Sequence, residues 1–189
     1  RRTGSFWVFI LALSLMGLYY TAFTFHVASL FEEAGRTRIQ AFAVFFPSSI
    51  ISVVVSFVSG WASDRIRLKY LLMVMLGGTA VAMLGLVELD APWGTWAVIA
   101  GHGVALGHFG VLSAVTWPKF YGREHLGEIS GFSMAGMVLG SALGPWLFSL
   151  SLDLTASYTA GTAVCLGVVM LLFLGSFWAD APPPKSPAR

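Results

Sequence analysis

Charge is what this chain has least of. Lys, Arg, Asp and Glu make up 11% of its 189 residues, against roughly 25% in an ordinary soluble domain, too few to cover a surface that faces water. Cysteine is almost absent: Cys165 stands alone, which excludes a disulfide scaffold. The 21 glycines follow no three-residue period, and 57% of the residues are hydrophobic. A collagen repeat and intrinsic disorder are therefore excluded as well. The formal net charge is only +2, so no nucleic-acid partner is expected. HExxH, P-loop and CxxC patterns are all missing, and no cofactor is implied.

What fills the chain instead is six apolar stretches, residues 6–31, 39–62, 70–87, 95–117, 129–152 and 158–178, none of which contains Asp, Glu, Lys or Arg. A membrane-spanning helix takes ~20 apolar residues, so six fit this length and twelve, needing ~240, do not. A charge at mid-bilayer costs ~2.5–3.5 kcal/mol, which makes clean exclusion from six windows a strong signal. The reading is an all-α membrane protein: one six-helix bundle over residues 1–180, in contact with the lipid bilayer, and a Pro-rich tail at 181–189 that packs no core. Trp7, Trp61, Trp93, Trp96 and Trp178 lie at or beside span ends, where aromatic belts form. Nine of the eleven Lys and Arg residues fall on one side of the alternating connections, and only Arg36 and Arg38 on the other. By the positive-inside rule both termini are cytoplasmic, in a cell (inner or plasma) membrane, and the connections at 32–38 and 88–90 lie outside. The chain opens Arg1-Arg2-Thr3, with no Met and no signal-peptide pattern, and its start is expected to be an internal cut in a longer protein.

Small residues form stripes. The fourth span carries Gly103, Gly107, Gly110 and Ala114, and the fifth carries Gly136, Gly140 and Gly144 followed by Pro145. Spacings of three and four put each set on one helix face, where small residues let backbones approach closely. Tight packing accounts for such stripes, and so does a seam that hinges. Pro145 and, in the second span, Pro47 each remove a backbone hydrogen bond and weaken the helix locally. Gly101-His102-Gly103 resembles the start of a dinucleotide-binding turn, but no strand precedes it and it lies in an apolar span.

Polar groups inside spans are candidates for function. Tyr19, Phe23 and His26 share a face of the first span with Tyr20 beside them. In the fourth, His102 and Ser113 share a face and His108 lies about 120° round the helix. These seven are the candidate substrate-binding residues, set against hydrogen-bonded packing roles for the histidines. His108 lies nearest mid-bilayer and is the first choice for a residue that carries a proton. No carboxylate or thiolate lies near the histidines, so no metal site is expected. Residues 131–134, Gly-Phe-Ser-Met, form no nucleophile elbow, and no catalytic residue is assigned.

Two motifs carry a resemblance. Residues 60–69, GWASDRIRLK, resemble the G-x-x-x-D-R-x-G-R-R/K loop of the major facilitator superfamily at Gly60, Asp64, Arg65 and Lys69, departing from it at Arg67 and Leu68. Gly140 to Pro145 looks like that superfamily's G-x-x-x-G-P element. The stretch 121–158 is similar to the monocarboxylate and oxalate–formate branch. The resemblance implies twelve helices in two halves, each made of two inverted three-helix repeats, with substrate bound between the halves. This chain then corresponds to the C-terminal half, its partner being the N-terminal six-helix half. The implied function is secondary active transport of a small solute by alternating access, with H+ as candidate coupling ion and an organic anion such as a monocarboxylate as candidate substrate. Spans one, two, four and five are expected to line the cavity, and spans three and six to face lipid. The 60–69 loop is expected to act as a conformational latch, with Asp64 accepting from the amides of a neighbouring helix and Arg65 pairing with Glu124 or Glu128. The second and fifth spans hold no Lys or Arg, which leaves an anion to His, Tyr, Ser, helix ends or the other half. A stand-alone six-helix membrane module and an intramembrane enzyme are the alternatives.

Overall fold

The computed structural model describes residues 4–181; Arg1, Arg2, Thr3 and the tail from residue 182 lie outside the described residues. Seven helices follow one another: α1 Gly4–Glu33, α2 Arg38–Ala43, α3 Phe45–Ser63, α4 Leu68–Val87, α5 Gly94–Tyr121, α6 Leu126–Thr155 and α7 Thr159–Ser176. They make six spans long and apolar enough to cross a membrane, because α2 and α3 together form the second.

Prolines explain both the break and an unbroken stretch. A proline at position i has no N–H and crowds the carbonyl at i−4. For Pro47 that carbonyl belongs to Ala43, the last residue of α2, and the helix restarts at Phe45. For Pro145 it belongs to Ser141, yet α6 runs straight through. The freed Ser141 carbonyl accepts instead from the Thr21 hydroxyl of α1, 2.8 Å away. A neighbouring helix thus supplies the hydrogen bond that the proline removed. Thr21→Val should lower the melting temperature of the chain, a loss of roughly 0.6–1.7 kcal/mol. The same change should cost less in a Pro145→Ala background, where Ser141 regains an amide. Equal losses in the two backgrounds would separate Thr21 from the proline.

The packing follows the exchange expected of two inverted repeats. The first span (α1) runs along the fifth (α6) as the fourth (α5) runs along the second (α3), and the third (α4) packs on both α5 and the sixth (α7). At one end of the bundle Arg36 donates to the carbonyls of Leu89, at 2.6 Å, and Ala91, at 3.0 Å. Glu33 accepts there from the Ser157 hydroxyl at 2.6 Å. The connections after spans one, three and five are thereby tied together. A capping box, Thr37 with Gln40, starts α2.

One expectation needs correction. The third span does not mainly face lipid: α4 buries Leu71, Leu72, Met75, Leu76, Thr79, Ala82, Met83 and Leu86. Close approach makes this possible, since a methyl on Gly101 of α5 would overlap the Ala82 backbone. The open faces belong to the second and fifth spans, in which only 17% and 22% of the apolar window is buried within the chain, against 56% for the first and third. Phe46, Phe57 and Trp61 of α3 and Leu139 and Trp146 of α6 stand exposed there.

Candidate functional site

The two seams hold the site's walls in register. On α6, a methyl on Gly140 or Gly144 would run into the carbonyl oxygens of Ser14 or Leu18 on α1, and one on Gly136 would come within 2.5 Å of the Ser14 hydroxyl. On α5, methyls at Gly103 and Gly107 would come within 2.8 and 2.7 Å of the Ser48 and Ser52 carbonyls of α3. Gly110, grouped with these two by spacing, meets nothing within 4 Å and takes no part in the seam. Opposite the α5 glycines lies a serine stripe that the sequence reading passed over: Ser48, Ser52, Ser56, Ser59 and Ser63, at spacings of three and four. Ser56 donates to the Gly107 carbonyl at 3.2 Å and Ser48 to that of Ile99 at 3.2 Å. Hydrogen bonds of this kind bind helices together where lipid gives apolar contact no advantage.

Where α5 meets α1, His102 is the centre of an aromatic cluster. Its Nδ1 lies 3.1 Å from the Tyr19 hydroxyl, and the tautomer with a lone pair on Nδ1 lets Tyr19 donate and keeps the proton on Nε2. The Tyr20 ring stacks on the imidazole at 5.9 Å and 7°. Phe23 lies 5.1 Å away and Phe45, from the start of α3, 6.2 Å away. Tyr19 and Phe23 are fully buried, while Tyr20 is 41% exposed, so the cluster opens on the Tyr20 side.

The other candidates lie elsewhere. His26, expected on the Tyr19–Phe23 face, sits in a second cluster with Phe148 and Tyr158, rings 5.9 and 5.4 Å away. Its Nδ1 bonds the Ala22 carbonyl at 3.1 Å and its Nε2 the Ser149 hydroxyl at 3.2 Å. His108 is buried, with Nδ1 at 2.9 Å from the Val104 carbonyl one turn back. A carbonyl only accepts, so Nδ1 carries the hydrogen and Nε2 keeps a lone pair free for a proton. Ser113 bonds the carbonyl of Gly110 in its own helix at 3.0 Å and does not join His102. Among the described residues no three His, Cys, Asp or Glu side chains gather as metal ligands would.

At the opposite end from Arg36, the 60–69 loop closes onto its own bundle. Asp64 accepts from Lys119 at the end of α5, 2.7 Å away. That bond, reinforced by the charge of the ammonium, holds the Asp64 carboxyl below its usual range. The expected acceptance from a neighbouring helix's amides is thus replaced by a lysine, legible beforehand only as one of two cations soon after Pro118. Arg65 turns back to donate to the Trp61 carbonyl at 3.1 Å and lies 4.2 Å over its indole ring, rather than reaching Glu124 or Glu128. Lys69 donates to Asp180 at 2.8 Å and to the Phe177 carbonyl at 3.1 Å. Gly60 has open space around it.

Comparison with known proteins adds two findings. A family model described as the Major Facilitator Superfamily matches residues 1–145. Monocarboxylate transporter 11 of Mus musculus is 27% identical over 175 residues, a stretch that covers 88% of this chain and 39% of that relative. The chain therefore spans well under half the length of the curated relative it matches.

Proposed function

Since the chain belongs to the major facilitator superfamily and is a multi-pass membrane protein of the transporter kind, we propose that it forms the C-terminal half of a secondary active transporter. A small solute crosses by alternating access, and an N-terminal six-helix half completes the pathway. The observation that carries this reading is the His102 cluster: an ionisable ring buried between spans one, two and four, bonded to Tyr19 and open towards Tyr20. Embedded ionisable groups are costly and persist where they serve a pathway. The exposed apolar faces of α3 and α6 supply the surface for the second half.

An organic anion such as a monocarboxylate is the proposed substrate. The relative's name supports that class, and the Tyr20 hydroxyl and the His102 Nε2 hydrogen are donors for a carboxylate. His108 is the proposed proton carrier, through its free Nε2. Thermal stabilisation of the transporter that contains this chain, measured against a panel of monocarboxylates, amino acids and sugars, tests the substrate. Monocarboxylates should stabilise it, and His102→Gln should weaken their effect; stabilisation by sugars alone would refute the anion reading. Both termini are proposed to be cytoplasmic. A cysteine at the exposed Asp90 (its neighbour Leu89 is buried) should then react with an impermeant thiol reagent from outside, and one at Ile66 should not.

A further inference from the structure

Where α3, α4, α5 and the segment after α7 meet, a cavity of about 390 Å³ is lined by Ser63, Arg67, Lys69, Lys119 and Asp180 among others. Three cations face it. Their two acidic partners are Asp180, held by Lys69 at 2.8 Å and Arg67 at 3.2 Å, and Asp64, held by Lys119. The first turn of α4 also lines the cavity, and its N-cap residue Arg67 offers no side-chain acceptor to the amides there. Unpaired amides and the helix dipole favour an anion at such a start. Asp180 already shows what the place accepts: a carboxylate gripped by two cations beside the start of a 20-residue helix.

The surroundings say where that anion comes from. Tyr70 is 49% exposed and Trp178 78% exposed at the rim, the depth at which interfacial aromatics sit. One turn deeper, Val74 on α4 and Leu174 and Leu171 on α7 present exposed apolar surface along which acyl chains can lie. We propose that this pocket binds the phosphate of an anionic lipid headgroup, in competition with the Asp180 carboxylate. Basic pockets between helix ends suit such headgroups. Binding would pull Lys69 and Arg67 off Asp180 and loosen the segment after α7, which keeps the Ser5 hydroxyl bond to the Asp180 carbonyl, at 2.5 Å, and the buried Ala179.

The test uses the purified chain in nanodiscs of phosphatidylcholine alone or mixed with phosphatidylglycerol, reading melting temperature and the lipid retained in native mass spectrometry. Phosphatidylglycerol should raise the melting temperature and be retained. Lys69→Gln and Arg67→Gln should each cut retention about fivefold, the factor for one basic residue at a lipid surface. Asp180→Asn, which removes the competitor and spares both cations, should increase retention, and this variant decides the matter if Lys69→Gln fails to fold. Retention unchanged in Asp180→Asn, or no preference for phosphatidylglycerol over phosphatidylcholine, overturns the proposal. Stabilisation by inorganic phosphate without any lipid preference overturns it too, assigning the pocket to a soluble phosphate.

Discussion

Gly140→Ala is expected to destabilise this chain by upward of about 3 kcal/mol, the top of the range for overpacked cores, and to abolish transport in the protein that contains it. The added methyl would overlap the carbonyl oxygen of Ser14, with the Leu18 amide nitrogen 3.3 Å away. Both are backbone atoms of a helix and cannot rotate aside, so α1 and α6 must separate. Separation would also strain the Thr21 bond to the Ser141 carbonyl, leaving a freed carbonyl in an apolar setting. Gly110→Ala is the matched control. It adds the same methyl to a neighbouring span where nothing lies within 4 Å, and alanine is the better helix former. Melting of the two variants in detergent should differ by many degrees; similar melting temperatures would mean that the α1–α6 seam is not a tight contact.

The contrast between Gly140 and Gly110 shows what sequence spacing can and cannot disclose. Spacing places glycines on one face but does not say what the face meets. The apolar windows were legible because exclusion of charge from a bilayer acts on each residue locally. Local weakening at Pro47 was legible for the same reason, but not that the helix would break there and that α6 would run on through Pro145. What escaped depends on partners from distant segments. The α3 serines read as featureless because a helical serine can satisfy itself on its own backbone, as Ser49 does on the Phe45 carbonyl. Only the fold shows Ser56 and Ser48 bonding across to α5.

The misjudged third span has a similar cause. Lipid and protein interior are equally apolar, so the low polarity of α4 could not reveal which of the two surrounds it. Tyr19 and Phe23 were found by helical period, yet Phe45 joins His102 from the start of α3, and His26 leaves for Phe148 and Tyr158. A period describes one helix, whereas the site draws on three.

Two groups give the second large prediction, because the roles proposed for them have opposite pH signatures. Asp64 is outside the spans, and its bond to Lys119 lowers its pKa. A carboxyl whose folded pKa is depressed contributes its interaction above the unfolded value of ~3.9 and loses it only as pH falls through the folded one. Between about pH 5.5 and 8 Asp64 is therefore always ionised. Asp64→Asn should slow uptake by a constant factor over that window, of order fivefold or more if the pair biases a conformational equilibrium by a typical coupling energy. Substrate affinity should change little, and Lys119→Met should reproduce the effect without adding to it. His108 is the reverse case. The proposal that His108 carries the coupled proton on Nε2 requires His108→Gln to flatten the pH dependence of uptake while sparing a fraction of the rate. Asp64→Asn with wild-type uptake would remove the Lys119 pair from the transport cycle, and a wild-type pH profile in His108→Gln would remove His108 from proton coupling. The double variant separates them further: independent roles require the constant factor of one change superimposed on the flat profile of the other.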